Sequence, residues 1–131
     1  MNSTTQQDIG KLILRITLGV LVFLHGISKL EGGLDGIFKL VETQGFPAFF
    51  AYGVIIGEVI APLLVIAGFF SRIGGIIIVI NMLFALYLVH LGDIGRLNDQ
   101  GGWAIELQLM YLFGAAAVAL LGPGRWAFNQ R

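Results

Sequence analysis

The chain has 131 residues, of which 56% are hydrophobic and only 12% are charged, and its mean hydropathy is +0.86. A chain this short cannot hide so much apolar surface in a water-soluble core, so we expect the lipid bilayer to be its solvent. The formal net charge of zero argues against a nucleic-acid partner, and the absence of cysteine excludes disulfides, thiolate nucleophiles and cysteine-ligated metal or iron–sulfur sites.

Hydropathy predicts an all-α integral membrane protein, with a four-helix bundle that forms a single domain over residues 1–131. Each predicted span has about 20 residues, the length that a helix needs to cross roughly 30 Å of hydrocarbon. The four spans are approximately 11–29, 48–70, 73–91 and 103–121. The N-terminal apolar run lacks a basic leader and a small-residue cleavage site, so we interpret it as a retained helix and not as a signal peptide.

Turn-forming residues support the breaks between these spans. Pro47 precedes the second span, where a missing backbone N–H is tolerated, "GFFSRIGG" predicts a tight turn, and "LLGPGRW" ends the fourth span. Between the first two spans, "GLDGIFKLVETQGF" predicts a short helix at the membrane interface, because it carries one apolar and one charged face. The apolar face consists of Leu34, Ile37, Phe38 and Val41, and the charged face of Asp35, Lys39 and Glu42.

The distribution of lysine and arginine predicts the orientation in the membrane. Five of these residues lie on the side that carries both termini, and three lie on the other side together with five acidic residues. Because positively charged loops stay in the cytoplasm, we expect a multi-pass protein of the cytoplasmic (inner) membrane with both termini inside.

Ionisable residues inside the spans form the candidate site, because charge is costly in lipid and usually faces the protein interior. Arg15, His25 and Lys29 lie on one stripe of the first helix. Glu58 lies near the middle of the second span, and Glu106 lies early in the fourth. We therefore expect the stripe to pair with these two carboxylates, with Arg15 and Glu58 as the structural charge pair.

The second span also carries a ridge of small residues and a proline. Gly53, Gly57 and Ala61 recur every four residues, which permits the close approach of a neighbouring helix or of a second copy of the chain. Pro62 follows one turn after Glu58, and we expect it to kink the helix and release a backbone carbonyl into the interior.

These groups predict a polar pocket within the membrane. The candidate ligand-binding residues are His25, Lys29, Glu58, Tyr87, His90 and Glu106. Phe23, Phe84 and Met110 are further candidate walls, and no metal site is predicted. Glu58 and His25 are the candidate catalytic residues, because they could exchange a proton with a ligand. Several residues have an ordinary alternative: Lys29 and His90 suit a membrane interface, and Glu106 suits the first turn of a helix.

The order and spacing of several motifs resemble the DoxX family of small four-helix membrane proteins. The motifs include "LRITLGVLVFLHGISKL", "GFPAFFAYGVIIGEVIAPLLVIAGFFSRIGG" and "LLGPGRW", and the similarity covers residues 10–128. The resemblance implies a protein of the cytoplasmic membrane that is linked to quinone-associated oxidoreductase systems, to the oxidation of sulfur compounds, and to defence against quinone or thiol stress.

Two functional hypotheses follow. In the first, the pocket binds a quinone. Because the chain has no cysteine and no flavin or iron–sulfur motif, it is then a membrane subunit that needs a cofactor or a soluble redox partner to supply electrons. In the second, the buried charges only lock the helix packing, and the protein is a scaffold or a small transporter. A bis-histidine haem site formed by His25 and His90 is a weaker third hypothesis.

Overall fold

A computed structural model describes residues 2–31, 33–89, 95, 97, 101–102 and 104–131 of the chain. Helices are the only regular elements in this described part, which confirms the all-α class. They are α1 (Ser3–Glu31), α2 (Leu34–Thr43), α3 (Phe49–Ala67), α4 (Ser71–Val89) and α5 (Glu106–Leu121). Among the described residues, α1 and α3 contain apolar segments long enough to cross a membrane, whereas α5 and the apolar part of α4 are shorter.

The first helix begins well before the predicted span, because Asn2 caps it. The backbone N–H of Thr5 donates a hydrogen bond of 2.8 Å to the side-chain oxygen of Asn2. This bond satisfies one of the amide groups that have no partner within the first turn of a helix. The polar start of the chain is therefore the first two turns of α1.

The short helix α2 has the predicted two faces. Its apolar side packs on the beginning of α3, in a cluster of buried residues made of Ile37, Val41, Ala51 and Val54. Asp35, Lys39 and Glu42 are exposed on its other side. The helix therefore holds one apolar face against α3 and leaves its charges outside.

Small residues bring the long helices together in antiparallel pairs. Along α1, Gly19 packs against the Pro62 carbonyl of α3, and Gly26 packs against the Glu58 carbonyl one turn earlier in α3. A Cβ atom added at Gly26 would overlap the Glu58 carbonyl oxygen, so α1 needs glycine at this position. The opposite order of the contacts along the two helices shows that α1 and α3 run antiparallel.

Two adjacent glycines place α4 between α3 and α5. Gly74 faces the carbonyl oxygen of Ala61 in α3, and Gly75 faces the backbone of Ala115 and Ala119 in α5. The main core lies where α1, α3, α4 and α5 meet. Its buried residues are Leu18, Val22, Ala61, Val65, Ile78, Met82, Tyr111, Leu112, Ala115 and Val118.

The outer surface of these helices is strongly apolar. Ile13 is 60% exposed, Phe113 is 65% exposed and Leu120 is 81% exposed. Side chains of this kind on several helices suit a surrounding of lipid better than one of water.

Residues 122–131, which we call the C-terminal segment, fold back over the turn between α3 and α4. Helix α3 ends at Gly68, which adopts the left-handed conformation with φ of 71°, and α5 ends at Gly122, as predicted. The backbone N–H of Asn129 donates to the Gly68 carbonyl, and the Asn129 side chain accepts a bond from the Phe70 N–H at 3.0 Å. The C-terminal segment thereby covers the ends of three helices.

Candidate functional site

Arg15 is buried at the end of the molecule that carries the C-terminal segment, and its guanidinium binds backbone carbonyls. Its side chain donates to the carbonyls of Val65 and Ile66 at 3.0 and 3.1 Å, and to those of Pro123 and Trp126 at 2.6 and 2.8 Å. The residue is only 2% exposed. One arginine thus ties α1 to the last turn of α3 and to the C-terminal segment.

This arrangement corrects the predicted pairing of Arg15 with Glu58. The carbonyl of Val65 lies seven residues beyond Glu58, which is roughly 10 Å further along the helix axis. The carbonyls in the last turn of a helix lack partners within the helix and carry partial negative charge, so they attract a guanidinium. Arg15 therefore neutralises the end of α3 and belongs to the packing of the helices, away from the predicted pocket.

Glu58 lies in a π-helical turn, Ile56–Ile60, that interrupts α3. The N–H of Ala61 bonds to the carbonyl of Ile56, five residues back. Pro62 has no N–H to offer the Glu58 carbonyl, so the regular α-helical bond is lost there, and Gly26 of α1 packs on that same carbonyl. The predicted disturbance at Pro62 is therefore present, in the form of a π turn.

The π turn buries the Glu58 side chain and brings the adjacent Gly57 into contact with α4. Glu58 is 4% exposed, although it sits in an otherwise apolar helix. A Cβ atom added at Gly57 would lie 2.6 Å from the Cβ of Asn81, so the ridge of small residues allows α3 and α4 to touch at this level. The π turn is thus packed between α1 and α4.

His25 lies at the same level of α1; it is exposed, and its ring contacts α5. Its Nδ1 lies 2.9 Å from the Leu21 carbonyl, and since a carbonyl can only accept, Nδ1 carries the proton. In the neutral ring, Nε2 is then a proton acceptor. The ring meets the buried Tyr111 edge to face at 5.4 Å, with the tyrosine hydroxyl 3.5 Å from Nδ1. Because His25 precedes Gly26, it lies one residue from the contact between α1 and Glu58.

The other predicted site residues either lie away from Glu58 and His25 or fall outside the described residues. Tyr87 is 51% exposed and meets Phe46 at 5.8 Å in an aromatic cluster between α3 and α4. Glu106 is exposed in the first turn of α5, with its carboxylate against Gly102. His90 and the side chain of Lys29 lie outside the described part of the chain.

Of the further residues predicted to form the walls of the pocket, Phe84 lines a cavity, and the prediction for Met110 is wrong. Phe84 belongs to a cavity between α3 and α4, whereas Met110 is 70% exposed and points away from the interior, because the buried face of α5 is formed by Tyr111 and Leu112. Phe23 is half-buried. The described residues contain no group of three or more His, Cys, Asp or Glu side chains that could hold a metal ion.

Asn81 and Tyr111 were not predicted as site residues, yet both lie at the level of Glu58. Asn81 is 5% exposed in α4, and its Nδ2 is buried with no hydrogen-bond partner among the described residues. A single amide within "IIIVINMLFALYL" is the one sequence signal that could have identified it, because an amide is expensive in an apolar helix. Tyr111 carries no comparable signal.

Comparison with known proteins adds three relatives and a family. Residues 10–91 match the profile of the DoxX family. The chain is 34% identical over 84 residues to "Putative oxidoreductase CatD" of Bacillus subtilis, an alignment that covers 64% of this chain and 62% of that protein. It is 28% identical over 127 residues to an uncharacterized membrane protein of Mycobacterium tuberculosis, which covers 90% of this chain and 78% of that protein.

The third relative is an uncharacterized protein of Haemophilus influenzae, 29% identical over 122 residues, with 82% of this chain and 84% of that protein covered. The chain thus spans less than two thirds of the Bacillus protein and more of the other two. No solved structure matches the chain.

Proposed function

The chain belongs to the DoxX family of membrane proteins, and from this premise we propose that it is a quinone-associated membrane subunit of an oxidoreductase or redox-stress system. The observation that carries the proposal is the position of Glu58. Its carboxyl group is buried in a π turn, within an apolar helix and beside the turn of α1 that holds His25. Ionisable groups placed in this way inside a membrane commonly serve proton transfer, and π turns recur at functional sites.

The residues at this level fit the requirements of a quinone. Reduction of a quinone consumes two electrons and two protons, so its site needs a group that carries protons through apolar surroundings. Glu58 is the proposed proton donor, and His25 exchanges protons through Nε2 while its Nδ1–H stays bonded to Leu21. Tyr111 holds the histidine ring by its edge-to-face contact, which fixes the direction in which Nε2 points.

Electrons must come from outside this chain. The sequence has no cysteine, so it cannot ligate an iron–sulfur cluster through thiolates. We therefore propose a soluble redox partner as the electron source. The name of the Bacillus relative, a putative oxidoreductase, is consistent with a redox system in this family but describes that protein.

We also propose that α1, α3, α4 and α5 cross the cytoplasmic membrane as a four-helix bundle, with both termini inside and α2 at the outer interface. The antiparallel glycine contacts and the exposed apolar side chains support this placement. The chain contains no native cysteine, so single cysteines report its orientation directly. A membrane-impermeant maleimide should label Gly36→Cys in intact cells and Thr4→Cys only after permeabilisation. The reverse pattern would contradict the orientation.

The function is tested by native mass spectrometry of the protein released gently from its own membrane. We expect a copurified quinone on the wild type and on the control Glu42→Gln, whose carboxylate is exposed on α2. Glu58→Gln should change the free energy of unfolding by no more than about 1 kcal/mol relative to the wild type. Cells that carry this variant should nevertheless lose their protection against quinone stress. A variant Glu58→Gln that protects cells as well as the wild type would refute the assigned proton role.

The second candidate function is a scaffold or small transporter whose buried polar groups only lock the helices together. The four bonds from Arg15 to backbone carbonyls favour it, because they show one buried charge used entirely for packing. Under this alternative, Glu58→Gln lowers stability in detergent, and the additional change His25→Gln restores part of it. The native mass spectrum then shows phospholipid and no quinone.

A further inference from the structure

A cavity of about 190 Å³ lies between the first half of α3 and the middle of α4. Its lining residues are Phe50, Gly53, Val54, Ile77, Ile80, Asn81 and Phe84. We propose that this cavity, which we call the α3–α4 cavity, binds a flat apolar molecule through one carbonyl oxygen, with Asn81 Nδ2 as the hydrogen-bond donor. The inference rests on the proposed function only for its choice of a quinone ring as ligand, since it uses none of the proton-transfer residues.

The size and walls of the cavity suit a ring. An engineered apolar cavity of about 150 Å³ in another protein stays dry and binds benzene, so the larger α3–α4 cavity can hold a substituted ring. Phe50 and Phe84 line it and stack on each other at 5.6 Å with planes 27° apart. Aromatic walls of this kind favour a flat partner through offset or edge-to-face contact.

Asn81 supplies the one polar side chain among the lining residues. Its Nδ2 is buried, without accessible surface, and has no hydrogen-bond partner in the described part of the chain, while the rest of the amide packs on Gly57. The amide must therefore turn toward the cavity for Nδ2 to reach a ligand. Burying a hydrogen-bond donor without an acceptor costs free energy. A ligand that brings a carbonyl oxygen to this donor therefore gains binding affinity by forming the missing hydrogen bond. A purely apolar ligand gains nothing from this group.

The cavity opens on the outer surface of the helix pair. Ile80 is 61% exposed and Gly53 is exposed, so the rim is formed by residues that face the surroundings of the protein. A membrane-dissolved molecule can therefore enter sideways without crossing a polar loop. A Cβ atom added at Gly53 would meet nothing within 4 Å, which leaves this mouth open.

The test follows the titration of the full-length protein in detergent with menadione, observed through methyl NMR signals of isoleucine. We expect saturable shifts of the Ile77 and Ile80 signals and no saturable shift of Ile13, which is 60% exposed on α1 and reports general partitioning. Gly53→Leu fills the mouth and should abolish the saturable shifts. Gly10→Leu is the matched control, because a Cβ atom there also meets nothing within 4 Å and the residue lies far from the cavity in sequence and outside its lining.

The hydrogen bond is tested separately with Asn81→Leu, which keeps the shape of the side chain and removes the donor. Menadione should bind this variant on the order of tenfold more weakly, whereas 2-methylnaphthalene, which has no carbonyl, should bind both proteins equally. An equal loss of affinity for menadione and for 2-methylnaphthalene would overturn the role of Asn81. Equal, non-saturable shifts at all three isoleucines would overturn the site.

These outcomes separate the cavity from the proposed function. If menadione binds the wild type and Gly53→Leu equally but copurified quinone and stress protection depend on Glu58, the function stands and this site is wrong. If menadione saturates the cavity while Glu58→Gln leaves stress protection intact, the site stands and the proton role of Glu58 is wrong.

Discussion

The end of the molecule that carries the C-terminal segment and the level of the π turn treat polar groups in opposite ways. At the first, Arg15 donates to four carbonyls, and Arg72 donates to the carbonyls of Ala119 and Leu120 at the end of α5. At the second, helices approach through Gly26 and Gly57, a cavity remains, and the donor Nδ2 of Asn81 has no partner in the described chain. In the first region, arginines bond the helix-end carbonyls, although the buried hydroxyl of Ser71 has no partner among the described residues. In the second region, the buried Nδ2 of Asn81 has none.

The difference follows from what each region must satisfy. Helix ends expose carbonyls that have no partner within the helix, and those that other segments bury, as around Arg15, need donors from the protein for stability alone. A helix middle has no such need, because its backbone is bonded internally. Polar side chains placed in the middle are therefore a cost to stability, and this cost points to a function. The contrast predicts that replacing the buried polar side chain of each region, Arg15 in the first and Asn81 in the second, changes stability in opposite directions.

The largest effect is expected at Arg15. Arg15→Met removes a donor from four carbonyls and should lower the free energy of unfolding by roughly 3–5 kcal/mol, because several buried acceptors lose their hydrogen bonds to a charged group. Arg15→Lys should also destabilise the protein, because an ammonium cannot span carbonyls on both α3 and the C-terminal segment. Thermal or denaturant unfolding in detergent measures both. A loss no larger than that of an exposed arginine would contradict the structural role.

A smaller effect is expected where α1 meets the π turn. Gly26→Ala places a methyl group on the Glu58 carbonyl and should cost about 1–3 kcal/mol, because the helices must move apart. Gly10→Ala in the same helix meets nothing within 4 Å and should be neutral or slightly stabilising. The same unfolding assay compares them. Equal stability of the two variants would show that α1 and α3 do not touch at Gly26.

Local chemistry in the sequence was enough to predict the helices and several of their ends. The two faces of α2, the turn at Gly68 and the stop at Gly122 each depend on residues within a few positions, so pattern and turn preference identify them. Pro62 likewise signals a disturbance of α3 because it lacks an N–H, although the π geometry depends on packing against α1 and α4.

The wrong partner for Arg15 and the missed α3–α4 cavity both depend on contacts that no residue pattern in the sequence indicates. A stripe of charge on α1 shows that Arg15 faces protein, but every segment has carbonyls, and no residue type indicates that those of Val65 and Pro123 would converge on it. The α3–α4 cavity is equally invisible, because it is the space that neighbouring side chains leave. Glycine at position 53 suggests close packing, yet in the fold it borders an opening.

Asn81 should respond in the direction opposite to Arg15. Asn81→Leu replaces a buried amide that lacks a partner for Nδ2, so the free energy of unfolding without ligand should rise by about 1 kcal/mol. The unfolding assay must be made on ligand-free protein, since a bound ligand would stabilise only the wild type. A clear loss of stability would mean that the amide is already satisfied, and the contrast between the two regions would then fail.

The smallest effect is expected on the surface of the same end of the molecule, where solvent weakens an ion pair. Arg125 lies 3.4 Å from Asp8, but its side chain is 52% exposed, so solvent screens the pair. Arg125→Gln should change the free energy of unfolding by less than about 1 kcal/mol, and added salt should reduce even that difference. Arg15→Met and Arg125→Gln remove the same charge from the same end of the molecule. A comparable loss from both would mean that charge alone, and not burial among helix-end carbonyls, stabilises this end.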